Sequence, residues 1–208
     1  MTLGFKKRSM LCLLALVFGG ALGCAPDASK VDSSRSYFDG GALSAPNPST
    51  VVMTGRVLRS QGRISEAEFV LRRVVSEHPE YAPGYSELAE LLLKDGRTQE
   101  TVLLLEAGSA LIQDSAMLQN DLGMCFVIMR DFDRAGQCFL LASELAPTDA
   151  VYSANYAMVL GLQGRYQDSL DLYARVIPME DAISNVFKLA EARGDLDWAP
   201  SEREIAEK

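Results

Sequence analysis

Residues 60–81 read SQGRISEAEFVLRRVVSEHPEY, residues 94–115 read KDGRTQETVLLLEAGSALIQDS, residues 129–149 read MRDFDRAGQCFLLASELAPTD and residues 162–178 read LQGRYQDSLDLYARVIP. Aligned on Gly62, Gly96, Arg130 and Gly164, these are four copies of one pattern at an interval of 34 residues. A fixed interval of that size marks a stacked array, in which each unit is one supersecondary element that buries its apolar face against its neighbours.

Counting each unit from Pro48, Ala82, Ala116 and Ala150, position 8 holds Gly55, Ala89, Gly123 and Ala157, and position 20 holds Ala67, Thr101, Ala135 and Ser169. All eight are small, as expected where the two helices of a unit touch and a large side chain would push the backbones apart. Position 24 is bulky instead, with Leu71, Leu105, Phe139 and Tyr173. Together with Leu58, Leu92, Phe126 and Leu160 at position 11, these residues are expected to fill the gap between successive units. Glycine at position 15 suits the left-handed backbone that follows a helix end. Pro79 and Pro147 at position 32 punctuate the turn into the next unit, a rule from which Gln113 and Asp181 depart. No convincing strand pattern interrupts the array.

These positions resemble the tetratricopeptide repeat family from about residue 48 to residue 198. The resemblance implies an all-α solenoid of about four and a half helix-turn-helix repeats at 48–81, 82–115, 116–149 and 150–179, closed by a capping helix in 180–198 and followed by a tail at 199–208. The cap is read from AISNVFKLAEARGDLDWA, where Gly194 follows Gly164 by 30 residues rather than 34. The fourth repeat therefore has a shortened second helix, stopped at Ile177-Pro178, and Trp198 is expected to pack over the end of the array.

The N-terminus poses a separate question. KKRSMLCLLALVFGGALGCAPDASK, residues 6–30, contains an uncharged run of 15 residues from Ser9 to Gly23, whereas a membrane-spanning helix needs roughly 20. A basic start at Lys6, Lys7 and Arg8, an apolar heart and small residues before the break fit an export signal over 1–23. Two cleavage readings are open. Ala21-Leu22-Gly23 satisfies the small-x-small rule for ordinary secretion, while Leu22-Gly23-Cys24 resembles the bacterial lipoprotein box, with Ala21 standing where that box has leucine. The second reading makes Cys24 the lipidation site, and Ala25 after it resembles the outer-membrane sorting pattern. Residues 24–47 then read as a tether, rich in proline, glycine and serine, in which Tyr37-Phe38 either docks on the domain or makes a passing contact.

Composition removes several classes of function. The signal holds three of the 20 basic residues and none of the 28 acids, so the remaining 185 residues carry 17 against 28, a net charge of −11. Without a basic stripe, the phosphate-neutralising attraction that dominates nucleic-acid affinity is missing. No nucleophile with a partner base, no carboxylate pair in a cleft and no glycine-rich phosphate loop emerges, so neither a catalytic site, a metal site nor a cofactor is expected. His78, the single histidine, lies beside Pro79 in a turn between units. Cys125 and Cys138 lack companion histidines at zinc spacing. They either pair across a helical hairpin or serve as small buried hydrophobes.

The tetratricopeptide resemblance places a concave surface on the first helices, with ligand-facing residues at positions 2, 5, 9, 12 and 13. The candidate partner-binding groove is therefore Arg56, Glu90, Met117, Asn120, Met124 and Met158, flanked by Val52, Arg59, Ser60, Ser86, Leu93, Lys94, Val151 and Ala154. Its N-terminal half is charged and its C-terminal half apolar and rich in methionine, which suits an amphipathic helix or an extended apolar peptide. Val127, Ile128 and Leu162 either extend the groove or bury against neighbouring helices.

A lipid-anchored array of this kind is similar to the assembly lipoproteins of pilus and secretion machines. The stretch NDLGMCFVIMRDFDRAGQCFLLASELAPTDAVYSANYAMVLGLQGRYQDSLDLYARV resembles the TadD-type family of Flp/Tad pilus assembly. That resemblance implies a non-catalytic scaffold or adaptor in the cell envelope, held by lipid at the outer membrane facing the periplasm and binding a protein or peptide partner. The alternative is a lipoprotein adaptor that regulates cell-wall (peptidoglycan) enzymes.

Overall fold

The computed structural model describes residues 46–199. The export signal, Cys24, the tether as far as residue 45 and the tail from residue 200 lie outside the described residues. Within them the chain is all-α, with helices α1 (Pro48–Ser60), α2 (Ile64–Glu77), α3 (Ala82–Lys94), α4 (Thr98–Leu111), α5 (Ala116–Ile128), α6 (Phe132–Leu145), α7 (Ala150–Leu162), α8 (Tyr166–Tyr173) and α9 (Met179–Arg193). None of these is long and apolar enough to cross a membrane. The first four odd-numbered helices start at the residues that open each unit of the 34-residue register. Their N-termini are fixed locally. The side chains of Asn47, Ser115 and Asp149 accept from the backbone N–H of Ser49, Leu118 and Val151, satisfying donors that the first turn leaves unpaired.

Helices α1, α3, α5 and α7 each pair with the even helix after them, and each even helix packs on the odd helix that follows it. Successive odd helices also touch one another, from α1 and α3 through to α7 and α9, whereas successive even helices do not. An array whose first helices converge while its second helices splay must curve, with the odd helices lining the concave side.

The small positions do the expected work. A Cβ on Gly55 would lie 2.8 Å from Leu71, and one on Gly123 would lie 2.6 Å from the Phe139 ring. Ser169 Oγ donates to the Ala157 carbonyl at 2.7 Å, so positions 8 and 20 approach each other too. The pairing refines the sequence reading in one respect. The bulky residue at position 24 lies over position 8 of its own repeat, and its cluster then continues forward, in the case of Phe139 to Val159 of the next repeat. Three such clusters run along the array: Val52 to Leu92, Tyr85 to Val159, and Ala157 to Val186.

Position 15 is left-handed in all four repeats. Gly62, Gly96 and Gly164 all take the left-handed conformation, and so does Arg130, at φ +60°. A side chain there costs roughly 1–2 kcal/mol of backbone strain, partly offset by the greater freedom that glycine has in the unfolded chain. Arg130→Gly is therefore expected to stabilise the fold by about 1 kcal/mol, read as a rise of a few degrees in Tm. A lower Tm would show that the arginine side chain makes a stabilising contact worth more than its strain.

The C-terminal end departs from the repeat, and α8 ends at Tyr173, before the stop expected at Ile177-Pro178. Helix α8 has 8 residues where α2, α4 and α6 have 14, and Pro178 directly precedes α9. Val186 and Ala190 of α9 are buried. Trp198 packs on Tyr166, with ring centroids 5.6 Å apart, and the Tyr166 hydroxyl donates to Asp195.

Candidate partner-binding groove

The concave face is built from α1, α3, α5 and α7, and its side chains sort into two regions. At the N-terminal end the charged residues are engaged with one another. Arg56 Nε donates to Glu87 at 2.6 Å, Arg59 reaches Glu90 at 2.8 Å and Glu87 at 3.7 Å, and Lys94 Nζ donates to Glu90 at 2.8 Å. Arg56 and Glu90, read from sequence as ligand-facing, are exposed but already paired. Glu87 is buried, with 8% of its surface exposed, and it holds the two guanidinium groups between α1 and α3.

Further along, a polar ladder crosses the seams between helices. Ser86 Oγ donates to Asp121 Oδ2 at 2.6 Å, and Asn155 Nδ2 donates to Asn120 Oδ1 at 2.7 Å. In both rungs position 5 of one repeat meets position 6 of the next. Position 6, occupied by Glu87, Asp121 and Asn155 at the same 34-residue interval, was not singled out by the sequence reading. The recurrence was visible there, but its contacts with the adjacent repeat were not.

Asp121 is unlike its neighbours. It accepts from Ser86 and, at 3.4 Å, from Asn120 Nδ2. Among the described residues no lysine or arginine lies within ion-pair distance of it. Burial pushes its carboxyl above the usual range, the hydrogen bonds from Ser86 and Asn120 pull it back, and Glu90 and Glu87 push it up again.

Around Asp121 the surface becomes apolar. Met117 and Met124 lie four residues before it and three after it on α5 and are 38% and 37% exposed, and Ile128 continues the stripe at 55%. Met158 on α7 is half-buried and packs against two of the core clusters. The structure separates the three ambiguous residues: Val127 packs on the core, Ile128 is open, and Leu162 is half-buried at the edge of a depression of about 470 Å³ among the turns at Met129 to Asp133, Gln163 and Arg193. That depression begins at Met129, directly after Ile128, and none of the three stripe residues lines it.

Among the described residues the two cysteines are free thiols. Cys125 is buried and Cys138 half-buried, and burial pushes them to about 12 and about 11 respectively, so neither is a reactive thiolate near neutral pH. Among the described residues no group of three or more histidine, cysteine, aspartate or glutamate side chains could hold a metal ion. Away from the groove, Glu68 and Glu100 form a network with Arg72 and Arg97 across α2 and α4. Hydrogen bonds from these guanidinium groups hold both carboxyls below the usual range.

Residues 58–122 match the tetratricopeptide repeat model. No curated protein sequence matches the chain. Among solved structures the fold is similar to MamA, with a TM-score of 0.56 and 18% identity over 69% of this chain and 86% of that one. It is similar also to TTC0263, a thermophilic TPR protein in Thermus thermophilus, with a TM-score of 0.56 and 19% identity over 73% and 85%. A third likeness is YrrB, described as a TPR protein with an unusual peptide-binding site, with a TM-score of 0.57 and 16% identity over 77% and 82%. Residues 58–122 thus carry the tetratricopeptide signature, and the described residues as a whole take the all-α solenoid fold of proteins built from that repeat.

Proposed function

We propose that this chain is an adaptor without chemistry of its own, holding a protein or peptide partner in the concave groove. The observation that carries this reading is the exposed stripe of Met117, Met124 and Ile128 on one face of α5. Apolar side chains left open in a row on an inner surface suit a partner rather than water, and methionines repack around irregular partners. A peptide-binding site is described for YrrB, which shares the fold. The position in the cell rests on sequence. Leu22-Gly23-Cys24 supports a lipid anchor at Cys24, and the resemblance to the TadD-type lipoproteins supports an envelope role in assembling Flp/Tad pili or a secretion machine, at the outer membrane facing the periplasm.

Deleting the chain from cells that make such pili tests the assembly role. Piliation is expected to be lost and to return when the wild-type chain is restored. Normal piliation in the deletion strain, with altered cell-wall cross-linking instead, would move the chain to the cell-wall alternative.

A further inference from the structure

We propose that the groove takes a cationic segment: a peptide in which a lysine or arginine, flanked by apolar residues, sets its charged head against Asp121 and lays its neighbours on Met117, Met124 and Ile128. This rests on the groove being the partner site and names the chemistry that the site selects.

Charge decides the sign of the ligand. The groove cations Arg56, Arg59 and Lys94 are each paired with Glu87 or Glu90, so an acidic peptide would have to break an existing pair to find a partner. Asp121 has the opposite deficit. Its carboxylate is held by one hydroxyl and one amide, with no cation, and faces Glu87 and Glu90 on α3 and Tyr152 on α7. A half-buried carboxylate without a counter-ion is costly to keep ionised. A guanidinium or ammonium brought by a ligand relieves that cost and gains a charge-assisted hydrogen bond.

Apolar surface decides the flanks. Met117 and Met124 lie one helical turn to either side of Asp121 on α5, and Met158 lies on the neighbouring α7. A lysine or arginine buries its methylene stem along apolar surface while its head reaches a polar group, and the methionines bracketing a single carboxylate present that combination.

The test is to pan a phage-displayed random dodecapeptide library on the full chain and on two variants, Asp121→Asn and Met124→Gln with Ile128→Gln, each first shown by thermal melting to be folded. The expected result is enrichment of peptides with a lysine or arginine within two positions of an apolar residue. For the most enriched peptide, Asp121→Asn is expected to weaken binding at least tenfold in fluorescence anisotropy and to abolish the preference for a basic residue, while the double variant removes binding altogether. Peptides without a basic preference, lost on the double variant but unaffected by Asp121→Asn, would overturn the cationic reading and leave the groove standing. Enrichment that survives both variants, or none on the wild type, would overturn the groove reading and this inference with it.

Discussion

Replacing Met124 and Ile128 together by glutamine is expected to lower partner affinity by a hundredfold or more while Tm stays within a few degrees of wild type. Both side chains are exposed in the free protein, so the fold gives up little when they become polar. In a complex they would be two of the three anchors of the apolar stripe, and truncating one buried anchor commonly costs about 2 kcal/mol or more. Two such losses amount to roughly three orders of magnitude if independent, and neighbours on one helix face seldom are. Glutamine is the sharper replacement because it is neutral and leaves the field at Asp121 unchanged. Met158 is a poorer target despite its place on the same surface, since it packs against two core clusters and a polar side chain there would unsettle the fold itself. Isothermal titration with the captured partner, alongside melting curves, separates the two effects. Unchanged affinity would remove the stripe from the binding site.

If Cys24 carries the proposed lipid anchor, Cys24→Ala is expected to transfer the protein from the membrane fraction to the soluble fraction. One acyl chain alone gives only marginal, reversible membrane binding, and stable anchoring needs more than one, which a lipidated N-terminal cysteine carrying several chains would provide. Without the thiol, anchoring has no chemical starting point. Fractionation with mass spectrometry of the N-terminus reads the outcome. A wild-type protein already soluble and beginning at an unmodified Cys24 would establish ordinary secretion instead.

Much of the fold could be read before any coordinates. The glycine interval located the turns, the small residues at positions 8 and 20 located the helix crossings, and Ile177-Pro178 announced that α8 is short, though not its end at Tyr173. These features are local or strictly periodic, which is why one sequence reveals them. What the sequence left hidden is pairwise. Nothing in the register says that Phe139 lies over Gly123 rather than only in the gap to the next repeat, or that Arg130 adopts the left-handed backbone that its glycine counterparts adopt freely. The candidate site can be named from the sequence as a set of positions but not as a balance of charge. Arg56 and Glu90 look like ligand contacts in isolation and prove to be partnered within the array. Asp121 looks unremarkable until its surroundings show acids, one hydroxyl and one amide beside it and, among the described residues, no cation.

The central claim is that the partner lies on the concave face over α5. A photo-crosslinking residue in place of Met124 tests it, compared with the same residue in place of Leu103, a side chain 60% exposed on α4. After irradiation of intact cells, a discrete adduct should form from position 124 and not from position 103. The same adduct from position 103, with none from position 124, would contradict the claim.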